Sequence, residues 1–208
     1  MRLIDMSGAA SGIAPRPSSS ASSVCSGADS TVGLAPPLDT FIDKPARIRG
    51  YALHRIVAQL HPGKAMLWAD EGQRLRIRSR EAEPPVYEAG KLLVFTTRAC
   101  VSLRERPERL PCAKKGHRKN VFLPLEDWRG RRAWLEKEAL RHGFEVVDVH
   151  VSGAMERVET HKGHRFLMDS TEFVGVLRVT NPTAFGLALV HGIGRVGRFM
   201  GLGMLIVK

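Results

Sequence analysis

The spacing of hydrophobic positions changes several times along this chain, and each change predicts an element. Between residues 49 and 60, Leu53, Ile56, Val57 and Leu60 fall on one helical stripe, and Pro62-Gly63 closes it. Short strands follow. Ala65 to Ala69 is apolar, Leu75-Arg76-Ile77-Arg78 alternates, and beyond the interruption at Pro84-Pro85 a β-rich run extends from Lys91 to Leu103 through Val94, Phe95, Thr96, Thr97 and Val101. Ahead of the helix only the weak segments Thr40-Phe41-Ile42-Asp43 and Pro45-Ala46-Arg47-Ile48 are available for a first strand.

The second half is patterned more cleanly. Asn120 to Leu125 reads as a strand, and Glu126 to His142 as a helix with Trp134, Leu135 and Ala139 on one stripe and Gly143 placed to cap it. Glu145 to Val151 and Phe173 to Thr180 alternate as strands. Asn181-Pro182 supplies an N-cap followed by proline in the first turn, Ala184 to Val190 continues that helix, and Met204 to Val207 is the final strand. The order βαββαβ predicts an α+β protein of the split-βαβ, ferredoxin-like (RRM-like) kind. We expect two such domains in tandem, a degenerate one over residues 38–110 and a complete one over 111–208. Residues 1–37 are rich in Ser, Ala, Gly and Pro, a composition too poor in apolar surface to offset the entropy of ordering, and read as a flexible extension.

Charge narrows the partners. The 208 residues include 32 Lys and Arg against 21 Asp and Glu, a formal charge of +11, with a pI near 10.2, which favours a polyanion such as nucleic acid. Residues 95–132 alone hold eleven basic and four acidic residues. Three cysteines, Cys25, Cys100 and Cys112, form no CxxC and leave one unpaired, so neither a disulfide framework nor a cysteine zinc site is expected and a reducing cytoplasm fits. His161 and His164 have Lys162 and Arg165 beside them, which disfavours a metal cation; no metal and no cofactor are expected. No apolar run reaches the roughly 18 residues of a membrane span, and no secretory segment is read at the N-terminus.

Near the end of the chain stands His191-Gly192-Ile193-Gly194-Arg195-Val196-Gly197-Arg198-Phe199-Met200-Gly201-Leu202-Gly203. Glycines let a backbone turn tightly and approach a ligand, and Arg195 and Arg198 add fixed charge, a combination suited to a polyanion. It is not a Walker A loop, since no Gly-Lys-Ser/Thr follows, and it opens no helix as a dinucleotide fingerprint would. A plain glycine-rich turn before a buried strand has the same spacing.

The run Gly192-Ile193-Gly194-Arg195 through Gly201-Leu202-Gly203-Met204-Leu205 resembles the terminal pattern of the CRISPR repeat-processing Cas6 superfamily, and within it the CasE family of type I-E systems. Phe173-Val174-Gly175-Val176-Leu177, the Asn181-to-His191 helix, Phe122-Leu123-Pro124-Leu125, Ala133-Trp134-Leu135 and Val147-Asp148-Val149-His150 extend the likeness, and Tyr51-Ala52-Leu53-His54 sits where that family carries a Tyr-x-x-His pair. The likeness spans about residues 45–208. The weak first strand, and a segment between Arg80 and Gly90 too short for the usual second helix, suggest a diverged member, such as the type IV relatives in which arginines can carry the active site.

The resemblance implies an endoribonuclease that cuts repeat hairpins in precursor crRNA, leaves a 2′,3′-cyclic phosphate, and stays on the 3′ stem-loop with other Cas effector subunits. His54 would then be the acid/base, histidine being the side chain that titrates nearest neutrality, with Tyr51 one turn earlier to position the phosphate and Arg55 to offset developing charge. Without the resemblance, a Tyr-x-x-His on a helix is more often a packing pair. The run Arg98, Arg104, Arg106, Arg109, Lys114, Lys115, His117, Arg118 and Lys119 would meet the stem, since A-form RNA is recognised chiefly through phosphates and groove shape. Arg129, Arg131 and Arg132 would extend that stripe, while Gly192, Gly194, Gly197 and Gly201 with Arg195 and Arg198 would hold backbone at the stem base. Phe95, Trp134, Phe144, Phe166, Phe173 and Phe185 are read as core, and Trp68 and Trp128 are unassigned. A hairpin-binding subunit that does not cleave, or that uses arginines, is the alternative, and a basic protein for ribosome or DNA association is a third reading.

Overall fold

The computed structural model describes residues 38–105, 119–160 and 162–208. Along the chain these form β1 (Asp39–Asp43), α1 (Tyr51–Leu60), β2 (Met66–Asp70), β3 (Arg74–Ser79), β4 (Leu92–Ala99), β5 (Ser102–Glu105) and β6 (Lys119–Phe122). There follow α2 (Trp128–Arg141), β7 (Phe144–Ser152), β8 (Met155–Glu159), β9 (Arg165–Asp169), β10 (Thr171–Val179), α3 (Pro182–His191), a 3-10 turn at Arg198–Met200, and β11 (Ile206–Val207).

The first sheet has the antiparallel order β1-β3-β2, with Asp39 opposite Arg78 and Trp68 opposite Ile77. Alternation in β3 sends Leu75 and Ile77 inward, and α1 covers them with Leu53 and Val57 while Trp68 joins the same cluster. Leu60, expected on the buried stripe, is 53% exposed at the frayed end of α1. The weak segment around Thr40 to Asp43 does form the first strand, because its pairing with β3 supplies the ladder that its own composition could not predict.

The larger sheet has the antiparallel order β11-β4-β10-β7. Strands β4 and β7 run parallel with β10 between them, the split-βαβ arrangement, and Leu93, Phe95, Phe144, Phe173, Leu177 and Phe185 pack in its core with α2 and α3. Both helix starts follow the expected chemistry. The Asp127 carboxylate accepts from the Gly130 N–H at 2.9 Å, and the Asn181 side chain accepts from Ala184 N–H at 3.1 Å ahead of Pro182.

Three expectations need correction. Lys91 to Leu103 is not one strand of the first half: it breaks at Cys100-Val101, β4 enters the centre of the larger sheet, and β5 leaves it to pair with β6. The alternate burial of Leu93, Phe95, Thr97 and Ala99 is what places β4 over the helices, whereas the segment at Asn120, expected to open the second domain, has no such stripe and closes a two-stranded ribbon. Finally, β8 and β9 form an unpredicted hairpin, rich in charged residues, in which Val158, Met168 and Asp169 are buried. No helix lies between Arg80 and Lys91.

The two sheets are joined by buried groups. Leu67 of the first packs with Met204 and Ile206 of the second. Arg78, 2% exposed, donates from Nη1 to the carbonyls of Leu189 (2.6 Å) and Leu205 (2.9 Å) while Nε and Nη2 hold the Asp39 carboxylate at 2.5 and 2.8 Å. A guanidinium buried this way has its charge paired and its donors shared between two layers.

Candidate active site and nucleic-acid interface

Helix α1 begins against the glycine-rich segment that ends the chain. A Cβ on Gly50 would stand 3.1 Å from Met200 Cε, so the helix start is seated on the 3-10 turn. Tyr51 follows, its ring 5.6 Å from that of His54 with a 49° tilt, and 6.1 Å edge-on from the ring of Phe199. His54 is half-buried and Arg55 exposed. The Tyr-x-x-His pair is therefore neither interior nor remote from the arginine-bearing loop: both are brought to one place.

The glycine loop is divided into an inner and an outer part. Gly192, Gly197 and Gly201 are buried, and their bare Cα atoms serve the packing of the chain on itself. A Cβ on Gly192 would lie 2.5 Å from the Gly203 carbonyl, one on Gly197 2.7 Å from Leu202 Cδ1, and one on Gly201 2.7 Å from the Trp68 ring. Packing of the chain on itself, rather than an open Cα face, is what requires glycine at these three positions. Gly194 is half-buried beside Trp134, Arg195 is exposed, and Arg198 donates from Nε and Nη2 to the Gly194 carbonyl at 3.2 and 2.8 Å.

On the α2 side, a cleft of about 770 Å³ lies between the helix and this loop, lined among others by Trp134, Lys137, Glu138, Arg141 and Arg195. The hydrogen bond from His142 holds the Glu138 carboxyl below its ordinary range against the opposing effect of burial, helped by Arg141 and by the Gly194 N–H. Trp134 stacks on the buried Phe173 at 6.1 Å and 16°, packed against the core on one side and lining the cleft on the other.

The basic stripe separates into groups. Arg104 and Lys119 lie on the β5–β6 ribbon, opposite Asn120 and Glu105 respectively, while Lys114, Lys115, His117 and Arg118, with Arg106 and Arg109, fall outside the described residues. Arg98 is tied to Glu156 and to the Ser170 hydroxyl (2.7 Å) and is only partly exposed. Arg129 lies over the exposed Trp128 ring at 5.2 Å, and Arg132 is paired with Glu136 at 2.8 Å on the helix surface. Arg131 is a correction. It is fully buried against Asp169, and its stripe position at the start of α2 turns it inward. Sequence reading also passed over Arg78 and Arg80: a strand of alternating arginines looks like a solvated face, and only the neighbouring sheet shows otherwise.

Among the described residues no group of three His, Cys, Asp or Glu side chains is placed to hold a metal ion, and no helix is long and apolar enough to cross a membrane.

With this geometry in place, the family model for CRISPR associated protein matches residues 52–208, three quarters of the chain and all of the site but Tyr51. The chain belongs to the CRISPR-associated protein family. No curated protein matches this family member. Among solved structures its fold is similar to the CRISPR endoribonuclease Cse3 bound to 19 nt RNA (TM-score 0.61, 22% identity, covering 82% of this chain and 97% of that one). Cas6e from Escherichia coli str. K-12 matches at TM-score 0.59 and 23% identity over 81% and 96% of the two chains. Thermus thermophilus Cse3 bound to an RNA representing a pre-cleavage complex gives 0.57 and 19% over 82% and 97%.

Proposed function

We propose that this CRISPR-associated protein is a metal-independent endoribonuclease. It cuts CRISPR repeat hairpins in precursor crRNA and remains on the 3′ stem-loop as a subunit of an effector complex. The observation that carries this reading is the seating of Tyr51, whose ring also meets that of His54, against Phe199 in the arginine-bearing loop. Cleavage by an internal 2′-hydroxyl needs a base for its proton, an acid for the 5′ leaving oxygen, and cations for the charge that grows on the phosphorus oxygens. His54 exchanges the protons, Tyr51 positions the phosphate, and Arg55, exposed next to His54 on α1, offsets charge together with the exposed Arg195 of the loop. The products are a 2′,3′-cyclic phosphate and a free 5′-hydroxyl.

The solved relatives support the substrate, since the Cse3 structures hold RNA, and a further match at 17% identity lies in a CRISPR RNA-guided surveillance complex. The stem is read by the basic segment carried on the β5–β6 ribbon, whose roots are firmly tied to α2. Incubating repeat RNA with the protein in EDTA is the direct test. The expected result is cleavage, lost by about 10²-fold or more in His54→Ala with hairpin affinity retained. The concentration of Arg80, Arg195 and Arg198 around the loop favours one second reading, an arginine-based or non-cleaving crRNA-binding subunit. Unchanged product yield from His54→Ala points to the first of these, and tight binding with no product from the wild type to the second.

A further inference from the structure

We propose that Arg80, Arg195 and Arg198, together with the backbone N–H groups from Arg195 to Phe199, form a binding site for an RNA phosphodiester that draws on both sheets. The proposal rests on the reading above and deepens it by adding Arg80, a residue of the first half of the chain.

The backbone comes first. Ile193 N–H donates to the Gly203 carbonyl, Met200 N–H to Gly197, Gly201 N–H to Arg198 and Gly203 N–H to Arg98, so the flanks of the loop are satisfied internally. Between them, no N–H from Arg195 to Phe199 has an acceptor among the described residues. Successive N–H groups around a left-handed residue, here Gly197, make a concavity for an anion.

The side chains supply the rest. Arg198 is anchored on the Gly194 carbonyl and half-buried; burial lowers its affinity for its proton, the charges of Arg80 and Arg195 lower it further, and Glu138 offsets only part. Arg80 follows β3 one pleat after Arg78, and residues two apart on a strand share a face. That face is the one from which Arg78 reaches Leu189 and Leu205, at the end of α3 and the strand after the loop. Arg76 and Arg78 are paired with Asp39, whereas Arg80 has no carboxylate partner among the described residues, and its Nε is buried without an acceptor. A buried donor left unmet is costly, and a planar guanidinium fork matches two oxygens of one phosphate. A phosphate here would satisfy Arg80 Nε, the loop amides and the excess positive charge together.

The test measures affinity for a repeat hairpin over a range of salt for the wild type, Arg80→Ala and Arg80→Gln, the second keeping the length of the stem. Both variants are expected to bind roughly tenfold more weakly, with the slope of log affinity against log salt reduced by about one. Slopes equal to that of the wild type, while Arg198→Ala lowers its own, would overturn the proposal. Inorganic phosphate added without RNA separates the sources: stabilisation of the wild type against heat that is absent from both variants supports the site, and equal stabilisation of all three overturns it. A wild type with no preference for the hairpin over unrelated RNA sinks the endoribonuclease reading while the phosphate measurement still decides Arg80.

Discussion

Arg131 of α2 and Asp169 at the end of β9 form an ion pair of 2.5 Å in which both side chains are 0% exposed. Around it the same guanidinium reaches the Thr171 hydroxyl and the carbonyls of Leu123 and Pro124, while Asp169 accepts from the Val101 N–H at 3.2 Å. Val101 precedes β5 and Leu123 follows β6. One buried pair therefore pins both roots of the basic ribbon and the β8–β9 hairpin to the helix.

Breaking that pair from one side leaves a buried charge without its partner. Asp169→Ala is expected to cost about 3–5 kcal/mol in denaturant unfolding, because Arg131 then keeps two carbonyls but loses its counter-charge. Asp169→Asn, which retains an acceptor for Val101 N–H, is expected to cost less. If Asp169→Ala unfolds at the wild-type midpoint, the pair does not fix the ribbon.

The periodicity of α1, α2 and α3, the caps at Asp127 and Asn181, and strands β7 and β10 were all legible in the sequence, since each depends on spacing or on chemistry within a few residues. Which half β4 belongs to was not legible: it is decided by partners more than 70 residues away, Val94 opposite Val176 and Thr96 opposite Ile206. The candidate site shows the same division. Tyr51 and His54 could be found by spacing and family resemblance, but Arg131 and Arg80 carry the same charge in the sequence, and only burial tells that one is an internal clamp and the other an unmet donor.

The first sheet has its own acid limit. Burial raises the carboxyl pKa of Asp39, but the hydrogen bonds and charges of Arg78 and Arg76 outweigh it and hold the group below its ordinary 3.8. A carboxyl lowered in the folded state binds its proton more readily in the unfolded chain, so its contribution is complete above the unfolded value and lost as pH falls below it, through the folded one. Stability measured from pH 6 downward is expected to fall through that window in the wild type more than in Asp39→Asn. Parallel curves for the two proteins would assign the acid sensitivity elsewhere.

Cys100 tests how closely the core is sealed beneath the loop. Burial pushes its thiol up to about 12, Asp169 adds to the shift, and the side chain lies 4% exposed among Val158, Met168, Met200 and Leu202. The thiolate is the reactive form, so alkylation by iodoacetamide at pH 8 is expected to spare Cys100 in the native protein and to proceed only as fast as the molecule opens. Peptide mapping after brief labelling checks this, and rapid native modification at that residue would show the cluster to be open.

The inner glycines of the loop give the last prediction. At Gly201 the backbone has φ +77°, and an added Cβ would meet three atoms of the buried Trp68 ring at 2.7 to 3.0 Å. Gly63 supplies the control, with φ +73° and nothing within 4 Å of the same position. An alanine at either site incurs the left-handed penalty of about 1–2 kcal/mol, but only at Gly201 must a packed indole also move. Gly201→Ala is expected to lower stability by roughly 1–3 kcal/mol more than Gly63→Ala in matched unfolding curves, since the Trp68 indole is buried, 2% exposed, in the first core. Equal losses would mean that the loop yields instead of Trp68, and Gly201 would then be needed for its backbone angle alone.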